Sequence, residues 1–219
     1  MSENAVDSAS HIKQVALRLF AEYGIDGVSV RQIAQAAGQK NHAALTYHFG
    51  SKDALIRALI IDGARAIDER RNAWLDRAEA KGGPHTLLDV MLCLVHTSID
   101  HNPPAHGECY NRFLAALQLS HQQLFITTVA GRWNGGYQRC LDHVRRLMPD
   151  GDPRALNRQL VFMGSAIGGI LSAREVQLAD QSRTHPMWAE AGTLDQVAVA
   201  LASLIQSVNV QSVNTPPRQ

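Results

Sequence analysis

Apolar residues along this chain recur at three- and four-residue intervals, the spacing of one helix face, and no alternating run is long enough for a strand. Ile12, Val15, Ala16, Leu19 and Phe20 form one stripe and predict a helix from about Ser8 to Tyr23, broken by Gly24 and Gly27. Ser29 is a suitable N-cap for a short helix carrying Ile33, Ala34 and Ala37 and ending at Gly38. Asn41 can cap another, anchored by Ala44, Leu45 and Phe49. Ser51 caps a third, with Asp53 in its first turn, where negative charge is favourable. From Ala54 to Ala80 the pattern is one long amphipathic helix, with Leu55, Leu59, Ile60, Ala64, Ile67 and Leu75 opposite Arg65, Asp68, Glu69, Arg70 and Arg71. Lys81-Gly82-Gly83-Pro84 stops it, and Pro84 suits the first turn of the next helix.

The remainder is also helical in pattern. Thr86–His101 is apolar on most sides and predicts a central helix. Cys109–Leu119, Gln122–Met148 (with a break near Gly135-Gly136), Arg154–Leu178 and Leu194–Val208 follow, separated by turns such as Pro149-Asp150-Gly151-Asp152-Pro153. The expected fold is therefore all-α. A three-helix helix-turn-helix domain is expected over residues 1–55, a second helical domain over residues 56–208, and a flexible tail over residues 209–219.

Composition narrows the function. A chain of 219 residues can bury a sizeable core. Cys93, Cys109 and Cys140 are widely spaced and read as reduced thiols, not a disulfide frame. The absence of a leader-like or long uncharged apolar run predicts a cytoplasmic protein without membrane contact. The net charge of +1 argues weakly against nucleic acid as a partner, since a local patch outweighs the total. No hydrolase, phosphate-loop or dinucleotide motif occurs, so no enzyme activity, catalytic residue or cofactor is expected.

Two short helices across a tight turn are a device for placing side chains in a DNA major groove. Phe20-Ala21-Glu22-Tyr23-Gly24, the Val30–Gly38 helix and Tyr47-His48-Phe49-Gly50-Ser51-Lys52-Asp53-Ala54-Leu55 together resemble the N-terminal domain of the TetR family of transcriptional regulators. The resemblance covers about residues 8–57. Gln39-Lys40-Asn41-His42 looks like a turn lengthened by one residue, as in one subgroup of that family. The resemblance implies a homodimeric regulator, a repressor released from a pseudo-palindromic operator by a small-molecule effector.

Candidate DNA contacts follow. Ser29, Arg31, Gln39, Lys40, Asn41, His42, Thr46, Tyr47, His48 and Lys52 cluster around the reading helix. Tyr47, His48 and Lys52 can donate to phosphate oxygens, although Tyr47 and His48 equally suit a brace for the small core. Arg31 can reach guanine or lie solvated. Gln39, Lys40, Asn41, His42 and Thr46 are candidates for base edges and flanking phosphates, and Asn41 is as good a cap as a base reader.

Two further sets are open to alternative readings. Gly164, Ser165, Gly168, Gly169 and Ser172 put small residues on neighbouring faces of one helix. They fit close packing within the subunit, or a two-fold seam formed by Gly164, Gly168, Gly169 and Ser172 with Leu201 and Ile205 of the last helix. An apolar or aromatic effector can be lined by Met91, Cys93, His96, Asn111, Phe113, Leu117, Phe125, Trp133, Tyr137, Phe162 and Met163, though the same residues suit an ordinary core. A metal-responsive alternative rests on His96, His101, His106 and Cys109, whose spacing matches no standard site. No metal ligand is assigned.

Overall fold

The computed structural model describes residues 3–39, 43–99, 108–150 and 152–207. Eleven helices and no strand occur among them. In chain order they are α1 (Glu3–Tyr23), α2 (Val30–Ala36), α3 (Ala43–Phe49), α4 (Lys52–Glu79), α5 (Leu87–Thr97), α6 (Tyr110–Ser120), α7 (Gln122–Val129), α8 (Gly135–Leu147), α9 (Pro153–Ala179), α10 (Pro186–Ala189) and α11 (Thr193–Gln206).

Local chemistry sets the helix ends. Ser29 and Gln32 form a reciprocal capping box at α2: Gln32 N donates to Ser29 Oγ at 3.3 Å and Ser29 N to Gln32 Oε1 at 2.8 Å. Ser51 caps α4 by accepting from Ala54 N at 3.1 Å. A second box, Thr86 with Asp89, starts α5. Pro84 is therefore not in the first turn of α5; it lies buried before the cap. That helix also ends sooner than its apolar pattern suggests, at Thr97, where the Thr97 and Ser98 hydroxyls bond back to the Cys93 and Leu94 carbonyls. The stretch predicted as Gln122–Met148 is two helices, α7 and α8, parted by a turn in which Trp133 adopts φ +56°. The short α10 has no apolar periodicity to announce it. Residues 209–219, read as a tail, lie outside the described residues.

The chain packs around two apolar centres. The first joins Ile12, Val15, Ala16 and Phe20 of α1, Ile33 of α2, Leu45 of α3 and Leu55, Ile56, Leu59 and Ile60 of α4. Phe113 and Leu117 of α6 complete it, with the Phe113 ring 6.2 Å from that of Phe20. The second is built from α5, α8, α9 and α11 around Val90, Met91, Leu94, Val144, Leu201 and Ile205. α4 serves both, with Leu75 in the second centre. The expected boundary near residue 55 thus falls inside a continuous helix, and α6 is packed into the head.

Candidate functional site

The head presents α3 outward. Leu45 is buried and fixes the helix on the small core, which leaves Thr46 and Tyr47 on the open side. Tyr47 is 82 % exposed, with its ring edge-on to His48 at 5.1 Å between centroids. An aromatic side chain so far from the core does not brace it. His48 is half-buried and leans toward Phe49. Arg31 is exposed in the first turn of α2. Ser29 is occupied as a cap. The Gln39 amide reaches back to Ser8 Oγ and the Ala37 carbonyl, both at 3.4 Å. Lys40, Asn41 and His42 lie outside the described residues.

Lys52 departs from the expectation of a free phosphate donor. Its ammonium donates to the Ile25 carbonyl at 2.6 Å and sits 5.6 Å from the centre of the Phe20 ring. It pins the start of α4 to the α1–α2 connection and is half-buried there. The carbonyl that it meets is contributed by a residue 27 positions earlier, which local sequence does not reveal.

Polar ties join this head to the rest. Lys13 pairs with Asp62 at 2.5 Å, Asp26 with His121 at 2.9 Å, and Arg57 donates to Thr128 at 2.8 Å. Tyr110 OH donates to the Ile60 carbonyl at 3.1 Å, and its ring fills the space beside Gly63. Glu175, 1 % exposed on α9, closes the set by capping α6 from a distance. Its carboxylate accepts from Asn111 N at 3.0 Å, Arg112 N at 2.8 Å and Asn111 Nδ2 at 2.8 Å. Burial raises its pKa, and these donated hydrogen bonds oppose the rise. Sequence reading missed Glu175 because it looks like any helical glutamate; its partners are more than sixty residues away.

Between head and body lies a cavity of about 370 Å³. Lys13, Gln14 and Leu17 of α1, Leu59, Ile67 and Arg70 of α4, Asn111 of α6 and Glu175 of α9 are among its walls. Of the residues expected to line an effector site, Asn111 borders this cavity and Trp133 borders a second, more open one with Asp68 and Gln138. Phe113 and Leu117 belong to the first apolar centre, and Phe125 packs against it. Met91, Cys93 and Met163 are in the second, with Tyr137 against it. Phe162 is 54 % exposed, Trp133 lies in the α7–α8 turn beneath Arg65, and His96 pairs with Asp195 at 2.7 Å. Most of the apolar candidates pack against one another in the two centres. His101 and His106 lie outside the described residues, and among those described no group of three or more His, Cys, Asp or Glu is placed to hold a metal ion.

The small-residue face of α9 is open. At Gly168 and Gly169, apart from their own helix, no described atom comes within 4 Å of where a β-carbon would stand, whereas at Gly164 the Tyr137 hydroxyl is at 3.5 Å. Close packing inside the subunit therefore does not explain Gly168 or Gly169. Phe162, Ser165, Gly169, Ala173 and Val176 form one exposed stripe, with Ser172 half-buried beside it. Leu201 and Ile205 require correction as seam residues. They are 2 % and 0 % exposed, turned into their own subunit's second centre, so the outward face of α11 is carried by Val199 and Ser203.

Comparisons with known proteins bear on the head directly and on the body only through its fold. Residues 12–59 match the family of bacterial regulatory proteins, tetR family. The transcriptional repressor AcnR of Corynebacterium efficiens is 37 % identical over 67 residues, 31 % of this chain and 35 % of the relative, so the chain spans about a third of that relative's length. A crystal structure described as a tetR-family transcription regulator from Shewanella sp. PV-4 superposes with a TM-score of 0.56 at 17 % identity, over 89 % of this chain and 95 % of that one. The superantigen pfit superposes with 0.54 at 19 % identity, over 89 % and 86 %. Likeness at these identities establishes the helical architecture, and the range of names shows that architecture alone does not assign a function.

Proposed function

We propose, from the match of residues 12–59 to the family of bacterial regulatory proteins, tetR family, that this chain is a DNA-binding transcriptional regulator acting as a homodimeric repressor. The observation that carries the reading is α3, anchored by buried Leu45 and presenting Thr46 and Tyr47 to solvent, with Arg31 of α2 also exposed. Such a helix enters the major groove, with Tyr47 and His48 on phosphate and Arg31 and Thr46 toward base edges. The AcnR relative, named a repressor, favours repression over activation.

Two-fold pairing through the open α9 stripe and the Val199 side of α11 brings two reading helices to half-sites about 34–36 Å apart. The cavity between α1, α4, α6 and α9 is the effector site in this reading, with Leu17, Leu59 and Ile67 offering an apolar wall and Lys13, Arg70 and Asn111 polar groups. An effector there changes the angle of α1 against α4 and lowers operator affinity, and operator lowers effector affinity by the same factor. Fluorescence anisotropy on DNA selected from random fragments tests the reading. Binding should be specific, salt-dependent and reduced by Tyr47→Ala; binding that does not distinguish sequences would count against it.

A further inference from the structure

Cys93 of α5 and Cys140 of α8 face each other in the second apolar centre with their Sγ atoms 3.9 Å apart, and both are free thiols without solvent exposure. Beside them Arg71 of α4 is buried, a guanidinium removed from water. Its hydrogen bonds go to neutral hydroxyls, Nε to Thr97 Oγ1 at 3.2 Å and Nη2 to Ser98 Oγ at 2.9 Å, and its cationic face lies 5.7 Å from the centre of the Tyr137 ring. Among the described residues no carboxylate forms an ion pair with it. Asp68, one turn earlier on α4, instead accepts from Gly136 N at 2.7 Å. A buried cation without an anion is costly, and the nearby groups able to become anionic include these two thiols.

We propose that Cys93 and Cys140 form an oxidisable dithiol, a modification site in which Cys140 is the attacking thiolate, buried Arg71 its counter-charge and Cys93 the resolving thiol. The electrostatics agree. The hydrogen bond shared with Cys93, together with the positive charge of Arg71, lowers the pKa of Cys140, while that shared proton and burial raise that of Cys93. Cys109, half-exposed at the start of α6, has no thiol partner, and burial with nearby Glu175 pushes its pKa up to about 11.

The oxidant is a hydroperoxide, small enough to enter as a water-sized guest during core opening. The Cys140 thiolate attacks the peroxide oxygen, the O–O bond breaks, and the products are a sulfenic acid and hydroxide. Cys93 sulfur then attacks the sulfenic sulfur, the S–O bond breaks, and with the released proton water departs. Two thiols and one hydrogen peroxide become one disulfide and two waters. The sulfur atoms must close to about 2.05 Å. This draws together α5 and α8, helices that pack on α4 and, through α5, on α11.

The test uses the full chain, hydrogen peroxide at equimolar to tenfold excess, alkylation after denaturation, and peptide mass spectrometry. The expected product is a Cys93–Cys140 disulfide with Cys109 still alkylated. Oxidation of Cys109 first, or three alkylated cysteines, overturns the proposal. Arg71→Gln should slow disulfide formation about tenfold, and an unchanged rate in a folded variant removes Arg71 from the site. Should that variant not fold, the pH dependence of the native protein decides. An ordinary thiol with a pKa near 8.5 speeds up nearly tenfold from pH 6.5 to 7.5, whereas this pair should show a shallower rise, and a full tenfold rise would overturn the role of Arg71.

Discussion

Replacing Glu175 by Ala should destabilise the protein more than its helical position suggests. The carboxylate accepts three hydrogen bonds of 2.8–3.0 Å, two of them from backbone amides in the first turn of α6. Cys109, at the N-cap position of α6, gives no side-chain bond, so Glu175 is the cap. Alanine strands the Asn111 and Arg112 backbone amides and removes one of the two acceptors of Asn111 Nδ2. An unsatisfied buried donor costs about 1–3 kcal/mol, and Asn111 Nδ2 keeps the Ser98 carbonyl as an alternative at 3.1 Å. The loss should total about 3–5 kcal/mol, a large part of a typical stability. Glu175→Gln keeps one acceptor and should cost about 1–3 kcal/mol near pH 7. The pH dependence supplies a second readout. The folded-state pKa of Glu175 lies above its unfolded value, so its contribution is fully present below the unfolded pKa and declines as pH rises through the folded one. The stability of the native protein relative to Glu175→Gln should therefore fall as pH increases from about 4 toward neutrality. Urea unfolding followed by circular dichroism measures both. A Glu175→Ala protein within about 1 kcal/mol of the native one would refute the capping argument, whereas a relative stability that rises with pH over that range would show the donated hydrogen bonds outweighing burial.

Three other outcomes are expected. Lys52→Ala should lose about 1.5–3 kcal/mol in urea unfolding, the range for a hydrogen bond to a charged group, while the salt slope of DNA binding shifts by less than about half a unit; a loss of one full unit would restore Lys52 as a phosphate contact. Gly168→Leu places a side chain where the subunit is open, so helicity should be retained while sedimentation shifts from dimer toward monomer; a dimer of unchanged strength would place the seam elsewhere. Tyr47→Ala should alter stability by less than about 0.5 kcal/mol yet weaken operator binding about tenfold, as anisotropy will show.

What the sequence made legible was local. The N-cap at Ser29, the cap at Ser51 and the stripe from Ile12 to Phe20 depend on residues three or four apart, and each stands where the pattern put it. The roles of Lys52, Glu175 and Asn111 depend on partners 13 to 64 residues away, for which a single chain gives no local sign. Apolarity marked Met91, Phe113 and Met163 as inside without saying which interior, or whether it is filled. Small residues at Gly168 and Gly169 signalled a close approach, but Leu201 and Ile205 could be assigned to a face only once α11 was seen against α5.

The central claim is that the α3 face reads DNA as a pair. It is tested most directly by selecting fragments from random duplex DNA with the purified protein and sequencing those retained. Two inverted half-sites with centres about 10–10.5 base pairs apart, or a multiple of that spacing, with enrichment lost in Tyr47→Ala, are the predicted result. Retained fragments that share no motif, or a motif equally enriched by Tyr47→Ala, would contradict it.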